Sequence, residues 1–525
     1  MGAMNRRDFF RNAAAGAFAT AASPAAAALA SAAQPAGAMP GAAAPAPAPD
    51  PPDPAPAAEK MVGIQVGAVS FVDEGVETVL DLLQRDAHVN TLFLATFTYG
   101  RGIAGRQVPG SPLPDHGKQE YDNGSGPGTF RGGAYTRVRA EFFKDTAIRD
   151  FRAPDFDDYD VLEAVLPEAR KRGLKTICWF EDVWNISVPG ARQAQEKRLD
   201  GSGASTLCFN NPNYRNWLLG MVEDYARSYE IDGIMWGSER QGAFANALGL
   251  SHGGIPGLAR ATCFCEFCAR KAKTRGIDVP RAVAGFQALE RFIESSRGGR
   301  RPLDGYYVTL WRLMLRYPEL LAWEMLWTDS LRETCAAMYS KVKSVKPSVG
   351  VGWHIWHNNS FNPIYRAEQD LAEISKYSDF LKVVMYHNCG GPRMASYIRS
   401  AGSTLFGDLP PDEVLEFHYR VLDYPHEGTL AQIPQTGFTA DYIFQEAKRA
   451  RTALNGTRTQ LWPGIDIDIP TGAGESRSTP DGTRDAVLAA FRAGSDGVLL
   501  SRKYSEMRLA NLRAAGDAIR ELGFA

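Results

Sequence analysis

Eight short apolar stretches, each with the length and composition of a buried strand, recur through residues 61 to 504 and are mostly separated by helix-like segments. They read MVGIQVGAVSF, VNTLFLATFTYG, LKTICWFED, IDGIMWGSE, SVGVGWHIWHN, DFLKVVMYHN, TQLWPGIDIDIP and SDGVLLSRKYS. Strands that alternate with helices form parallel sheets. Eight such strands, followed by a final helix, predict an α/β fold of the closed (β/α)8 TIM barrel type.

Two long insertions interrupt the repeat, one after the second strand (about residues 100 to 156) and one after the fourth (about residues 241 to 304). Barrels of this type can exceed 400 residues when they carry insertions, so residues 61–525 are expected to form one catalytic domain. An open dinucleotide-binding sheet is disfavoured, because the first strand leads into GAVSFVDEG and not into a G-x-G-x-x-G turn.

The first 60 residues differ in composition from the rest of the chain. Arg6 and Arg7 precede a weakly apolar, alanine-rich segment, and ALASAAQ offers small residues for cleavage. Residues 1–33 therefore resemble a twin-arginine signal peptide, and the Pro/Ala-rich residues 34–60 are expected to be a disordered linker. We expect export by the twin-arginine machinery, a periplasmic or secreted location, and no stable membrane anchor.

The overall charge argues against one class of partner. The chain has 58 Lys and Arg residues against 60 Asp and Glu residues, a formal net charge of −2. Proteins that bind nucleic acid usually carry a basic excess. No nucleic-acid partner is therefore expected.

Carboxylates occur where the predicted strands end, which is where the active sites of such barrels lie. The fourth strand ends in Ser238-Glu239-Arg240, and the seventh contains Asp466 and Asp468. Cleavage of a glycosidic bond needs one carboxylic acid and a second carboxylate, which acts as the nucleophile or as the base for water. Residues two apart on a strand face the same side. We predict Glu239 as the general acid/base and Asp466 or Asp468 as the nucleophile or base.

Each of these carboxylates has a structural alternative. Glu239 could pair with Arg240 or with an arginine in a loop, and one of the two aspartates could serve only as a hydrogen-bond partner for the other. Aromatic side chains pack on the apolar faces of sugar rings, while polar side chains bind the hydroxyl groups. The residues predicted to bind substrate at the strand ends are Glu181, Asp182, Trp184, Trp356, His357, Tyr386, His387 and Arg502.

Three of the seven cysteines are crowded into CFCEFC, and an odd number of cysteines does not fit an all-disulfide framework. The C-x-C-x2-C spacing suits a tetrahedral zinc site, which needs four ligands. The expected set is Cys208, Cys263, Cys265 and Cys268, with His252 or Cys389 as alternatives to Cys208. Structural zinc is the expected cofactor, and no organic cofactor is expected. A loop disulfide with a free thiol is the alternative.

The middle of the chain carries a resemblance to a known group of enzymes. FNNPNYRNWLLGMVEDYARSYEIDGIMWGSE followed by CFCEFC, over about residues 205 to 270, resembles the central part of glycoside-hydrolase-like barrels. An upstream Cys with C-x-C-x2-C is similar to the zinc cluster of family 42 β-galactosidases. The resemblance implies the barrel fold and glycoside hydrolysis. Ser238 stands where such barrels usually carry Asn, and strand seven carries Asp where they usually carry Glu.

The leading hypothesis is thus an exported glycoside hydrolase that acts on an oligo- or polysaccharide. A non-catalytic carbohydrate-binding barrel is one alternative. A metal-dependent hydrolase that uses His354, His357, His387 and an Asp of strand seven is the other, although the first strand lacks the His-x-His with which amidohydrolase barrels begin.

Overall fold

The structure is a computed structural model that describes residues 59–99, 115–116, 132–156, 158–182 and 188–524. The predicted signal peptide (residues 1–33) and nearly all of the predicted linker (34–60) lie outside these residues. Their assignment therefore stays a prediction. The described residues belong to one compact unit.

Eight parallel strands form a closed barrel and follow one another around it in chain order. Barrel strands one to eight are Met61–Val66, Thr91–Tyr99, Lys175–Glu181, Gly233–Gly237, Gly350–Ile355, Phe380–Met385, a broken strand made of Gln460–Leu461 and Gly464–Asp466, and Gly497–Ser501. The first strand pairs with the second and also with the eighth, where Met61 lies opposite Gly497. This closure confirms the predicted TIM barrel.

The α-helices pack around the strands or belong to the insertions. They are Ala68–Glu74, Val76–Ala87, Val161–Lys171, Pro212–Ser228, Ala243–Ala247, Glu266–Thr274, Val279–Arg297, Tyr306–Arg316, Glu319–Val345, Pro363–Glu368, Leu371–Ile374, Gly390–Gly402, Pro411–Leu422, Ile433–Thr436, Ala440–Ala453, Pro480–Arg492 and Leu509–Glu521. Within the described ranges, no helix combines the length and the apolar character needed to cross a bilayer.

Three extra strands lie outside the ring. Gly132–Ala134, in the first insertion, pairs antiparallel with the second barrel strand. Gln195–Lys197 and Gly203–Leu207 form a two-stranded hairpin between the third and fourth barrel strands. The sequence predicts the insertion after strand four, which contains three α-helices, but not this hairpin, whose strands are short and polar.

The helix before the fourth strand shows how local sequence sets the framework. The Asn211 side chain accepts a hydrogen bond from the backbone N–H of Asn213 at 3.0 Å, and Pro212 occupies the first helical turn, where no N–H partner is needed. The helix then buries Trp217, whose ring makes edge contacts with Phe97 and Phe151. These contacts fix the helix against the second barrel strand and the first insertion.

The barrel strands are buried on both faces, as expected for a parallel sheet covered by helices. Where two large rings must fit between neighbouring strands, one strand supplies a glycine. Phe380 of strand six stacks on Trp462 with the ring centroids 4.0 Å apart. A Cβ at Gly352 of strand five would lie 2.2 Å from the Phe380 ring and 2.5 Å from its backbone oxygen.

We predict that Gly352→Ala destabilises the protein by about 1–3 kcal/mol, because the added methyl overpacks the barrel. Gly350→Ala on the same strand is the matched control, since its Cβ would come no closer than 3.5 Å to any neighbour. Urea unfolding followed by circular dichroism measures both. Equal stability of the two variants would contradict this account of the packing.

Candidate active site

Two glutamates lie at the carboxyl ends of neighbouring barrel strands. Glu181 is the last residue of strand three and lies in register with Gly237, the last residue of strand four. Glu239 follows two residues later. Its side chain is 47% exposed, whereas Glu181 is half-buried. The fold therefore brings both carboxyl groups to the end of the barrel where catalysis is expected.

Glu239 is held by a histidine from strand five. The Nε2 atom of His354 lies 3.0 Å from Oε1 of Glu239. Burial lowers the pKa of His354, so the ring is neutral at pH 7 and its Nε2–H donates to the carboxylate. Burial raises the pKa of Glu239, but the His354 contact and the charges of Arg502 and Arg393 outweigh it, so the pKa lies well below its usual range. Glu239 is therefore ionised.

The His354 ring can reach Glu239 because strand four, which precedes Glu239, ends in Gly237. A Cβ at Gly237 would lie 2.5 Å from the Cβ of His354 and 3.1 Å from its ring. Those distances are too short for an unstrained contact. The absence of a side chain at position 237 thus leaves the space in which His354 lies.

Glu181 has the opposite acid–base character. Burial, with the nearby negative charge of Glu239, raises the pKa of Glu181 to about 7, although Arg502 opposes the shift. The Thr98 hydroxyl lies 3.2 Å from Oε2 of Glu181. Close to neutral pH, about half of the Glu181 carboxyl groups are therefore protonated while Glu239 is ionised. Enzymes that use an acid and a carboxylate together need this separation of pKa values.

A buried lysine lies inside the barrel near these groups. The Nζ atom of Lys382 donates to Oε1 of Gln65 at 2.8 Å and to the Tyr386 hydroxyl at 2.9 Å, and Ser501 also donates to Gln65. Burial lowers the pKa of Lys382 to about 7, against the attraction of Glu239. Lys382 is not among the residues predicted from the sequence. The available signal was one lysine within the apolar run DFLKVVM.

The two aspartates of strand seven form contacts that argue against their predicted catalytic roles. Asp466 is fully buried, and its two oxygens accept backbone N–H bonds from Cys389 (2.8 Å) and Ile469 (3.0 Å). Burial raises its pKa to about 6. These bonds join the ends of strands six and seven, so Asp466 serves as a structural acceptor in this geometry.

Asp468 departs from the side-by-side arrangement expected from the sequence. The strand ends at Asp466, and Asp468 has a φ of 56°, so the alternation of a strand does not extend to it. Its carboxylate receives hydrogen bonds from Arg508 and from Asn511, at 2.8–2.9 Å. Both oxygens are thus used to attach the last helix, and the catalytic role of either aspartate remains only a prediction.

Asp182, predicted to bind substrate, instead fixes the segment that carries Glu239. Its carboxylate accepts hydrogen bonds at 2.6 Å from Ser238 and from Nε of Arg240, and it also contacts the Tyr214 hydroxyl. Asp182 is 1% exposed. Because Ser238 and Arg240 flank Glu239, this one carboxylate holds both neighbours of the candidate catalytic residue.

The remaining predicted substrate-binding residues are distributed unevenly. Trp356 lines a cavity together with Glu239. His357 is fully buried, with its Nε2 atom 3.1 Å from the Tyr442 hydroxyl and its Nδ1 atom 3.0 Å from Nη1 of Arg393. The Tyr386 hydroxyl accepts a hydrogen bond from Lys382. His387 is buried, and burial lowers its pKa to about 4. Arg502 is half-buried near both glutamates. Trp184 lies outside the described residues.

The cavity beside Glu239 has a volume of about 300 Å³ and extends from the barrel mouth toward the hairpin and the insertion after strand four. Polar and charged side chains line much of it: Glu196, Arg198, Arg240, Gln241, Asn246, His252 and Arg260. A second cavity of about 720 Å³ opens near the amino ends of the strands, beside Met61, Thr91 and Phe380. That end of such a barrel serves stability, so the smaller cavity is the candidate substrate site.

The four cysteines of the predicted metal site lie together. The Sγ atoms of Cys208, Cys263, Cys265 and Cys268 are all within 4.8 Å of one another, and all four residues are buried. Cys208 is 3.6 Å from Cys265 and 3.5 Å from Cys268, far beyond a disulfide bond of about 2.05 Å. Tetrahedral ligation at about 2.3 Å requires sulfurs about 3.8 Å apart. The group can therefore hold a metal ion.

Hydrogen-bond donors support these sulfurs as thiolates. The backbone N–H of Lys197 donates to Cys263, and the Asn210 amide donates to Cys268, both at 3.3 Å. Such donors orient metal ligands and stabilise their charge. Elsewhere in the described residues, no three His, Cys, Asp or Glu side chains gather closely enough to hold an ion, and His354, His357 and His387 belong to no such group there.

Comparisons with known proteins give structural similarities only. No protein-family model matches the sequence, and no curated protein matches it. Among solved structures, the PgaB (BpsB) glycoside hydrolase domain from Bordetella bronchiseptica is 12% identical, with a TM-score of 0.45 over 88% of this chain and 98% of that domain. A β-galactosidase from the haloarchaeon Halorubrum lacusprofundi is 14% identical, with a TM-score of 0.46 over 88% and 58%.

A third structure is Gan42B, a GH42 β-galactosidase from G. stearothermophilus, at 12% identity and a TM-score of 0.45. The chain covers 57% of its length, so it spans little more than half of either β-galactosidase. Identities of this size and TM-scores below 0.5 do not extend to activity, substrate or site residues.

We predict that the purified protein contains about one tightly bound metal ion per chain, because four buried thiolates form a complete ligand set. Cys263→Ser and Cys265→Ser should lose most of that metal and unfold at a lower temperature. Cys335→Ser is the control, since Cys335 is buried outside the cluster. Elemental mass spectrometry and thermal unfolding test this, and full metal content in the Cys263 and Cys265 variants would contradict it.

Proposed function

We propose that the protein is an exported glycoside hydrolase that cleaves oligo- or polysaccharides with Glu181 and Glu239. One observation carries the proposal, namely that two carboxyl groups at adjacent strand ends have pKa values displaced in opposite directions. Glu181, about half protonated at pH 7, is the general acid for the leaving group. Glu239, ionised and held by His354, acts as the nucleophile or as the base for water.

This assignment differs from the sequence prediction in its roles. Glu239 was expected to be the general acid/base, but its lowered pKa suits a carboxylate that stays charged. The acid role passes to Glu181, which the sequence placed among the substrate-binding residues. The contacts of Asp466 and Asp468 leave them as framework residues.

The cavity next to Glu239 supports a sugar as substrate. Trp356 supplies an aromatic surface in its wall, and Gln241, Asn246 and His252 supply groups that can hydrogen-bond hydroxyls. Mixed aromatic and polar walls of this kind suit a molecule with apolar ring faces and many hydroxyl groups.

Zinc is the ion proposed for the four-cysteine group, with a structural role. Thiolate ligands favour zinc among common divalent ions. Four protein ligands leave no open position for water or substrate, which distinguishes structural from catalytic zinc sites. Export through the twin-arginine route, inferred from residues 1–33, is part of the same proposal.

We predict that Glu239→Gln and Glu181→Gln each reduce kcat/KM at least about 100-fold on any glycan that the wild type cleaves. Glu230→Gln, an exposed change just before strand four, should leave activity unchanged. A glycan-library digest with mass-spectrometric product detection measures this. Full turnover by Glu239→Gln would end the proposal, and binding without cleavage by the wild type would point to a carbohydrate-binding barrel.

The pH dependence tests the two roles separately. Because burial raises the pKa of Glu181 to about 7 and its protonated form is the active one, kcat/KM should fall as the pH rises through about 7. Glu239 stays ionised across the neutral range, so it adds no loss of activity there. In Glu181→Gln the fall near pH 7 should disappear, and an aryl glycoside with an activated leaving group should be cleaved far better than a natural glycan. An unchanged profile in this variant would contradict the acid role.

A further inference from the structure

Four arginines surround Glu239 without a carboxylate partner in the described part of the chain. Arg393 and Arg502 act on Glu239 through their charge, and Arg198 and Arg260 line the same 300 Å³ cavity as Glu239. Several other partly buried arginines of the described residues, such as Arg172 and Arg366, form ion pairs with carboxylates, whereas Arg152 donates to the backbone oxygens of Thr136 and Tyr159. Arg240 is 2.6 Å from Asp182 and 3.1 Å from Glu196.

Arg502 is the first residue after strand eight. Its positive charge acts on Glu506, Glu181 and Glu239, but no carboxylate of the described residues lies within ion-pair distance of it, and its buried Nε lacks a hydrogen-bond acceptor there. A buried guanidinium N–H without an acceptor is costly. The geometry therefore leaves a donor available to a bound molecule.

Arg393 belongs to the helix that follows strand six. Its guanidinium lies 5.8 Å from the centre of the Tyr386 ring, and Nη1 donates to Nδ1 of the neutral His357 at 3.0 Å. The ring nitrogen satisfies one donor without neutralising the charge. A guanidinium has five N–H donors in a planar fork, so donors remain for another acceptor.

The two cavity arginines are likewise satisfied only by uncharged groups. Arg198 donates to the backbone oxygens of Ala259 and Gly203 and to the Ser202 hydroxyl. Arg260 donates to the backbone oxygen of Gly253. Neither guanidinium forms an ion pair with a described residue, although Asp200 lies near enough to Arg198 for the two charges to interact.

The charge of the site is positive around a single ionised glutamate. Arg393 and Arg502 carry two positive charges near Glu239, while Glu181 is neutral in the protonated form that the proposed reaction needs. Lys382 below them is hydrogen-bonded to the neutral groups Gln65 and Tyr386. A neutral sugar would leave this excess charge uncompensated in a partly buried site.

We propose that the substrate is an anionic glycan, whose carboxylate or sulfate groups are bound by Arg393 and Arg502 at the reacting sugar and by Arg198 and Arg260 along the cavity. Arginine forms paired hydrogen bonds with planar carboxylates and binds sulfate oxygens with the same fork. That the anionic glycan is a substrate rests on the proposed hydrolase function, but its binding can be measured without catalysis.

The binding test uses Glu181→Gln protein, because glutamine keeps the charge of the protonated acid and stops its proton transfer. The probes are a galacturonate tetramer, a sulfated galactose tetramer, a neutral galactose tetramer and a chitosan tetramer, titrated by calorimetry at pH 6.5. At least one anionic tetramer should bind 10-fold or more tightly than the neutral and cationic ones, and its affinity should fall as salt rises. Equal binding of the neutral tetramer would overturn the inference. The tighter of the two anionic probes identifies the recognised group.

Substitutions then assign the residues. Arg393→Gln and Arg502→Gln, in the same background, should each weaken binding of the anionic tetramer 10-fold or more and leave the neutral one unaffected. Arg502→Lys should recover part of the loss, because it keeps the charge but not the fork. Arg170→Gln, on an exposed helix end near the amino ends of the strands, is the control. Thermal unfolding checks that each variant is folded, and unchanged anion affinity in both glutamine variants would overturn the assignment.

Digestion by the wild type separates this inference from the proposed function. Cleavage of an anionic tetramer supports both. Tight binding without cleavage overturns the hydrolase and leaves the anionic-glycan site standing. Cleavage of neutral glycans only, with weak binding of anionic ones, supports the hydrolase and overturns the inference.

Discussion

The buried ion pair between Asp182 and Arg240 is the interaction on which the arrangement of the candidate site depends. It joins the end of strand three to the segment after strand four, and Arg240 also contacts Glu196 of the hairpin. Removing one partner of such a pair leaves an uncompensated buried charge, which costs several kcal/mol. Since Glu239 lies between two residues that donate to Asp182, its position follows from this pair.

The same region shows how two adjacent acids come to have different tasks. Side chains of consecutive strand residues point to opposite faces. Glu181 therefore lies near Thr98, Glu239 and Arg502, and Asp182 faces Tyr214, Ser238 and Arg240. In the first environment the pKa of Glu181 is raised to about 7, and in the second the carboxylate of Asp182 forms an ion pair with Arg240. The four-cysteine group is attached to the hairpin by the backbone N–H of Lys197, which donates to Cys263.

The sequence predicts those features that are decided locally or by a repeated pattern. The alternation of apolar strands and helices gives the barrel, and C-x-C-x2-C with Cys208 gives the thiol cluster. The sequence alone does not predict which carboxylates are framework residues, because that depends on partners far away in the chain. Asp466 is bound by the N–H of Cys389, 77 residues earlier, and Asp468 by Arg508, 40 residues later. Lys382 is visible in the sequence as a charge within a buried strand, but its hydrogen bonds with Gln65 and Tyr386 are not.

Gly237 has a consequence for how the acidity of this site could change over time. The pKa of Glu239 depends on the contact with His354, and that contact exists because position 237 lacks a side chain. A single methyl group there would displace the ring without altering any group that can touch a substrate. The ionised state of Glu239 thus depends in part on the empty volume at position 237, and a chain with alanine there would hold this carboxylate less firmly, while Glu181 would keep the burial that raises its own pKa.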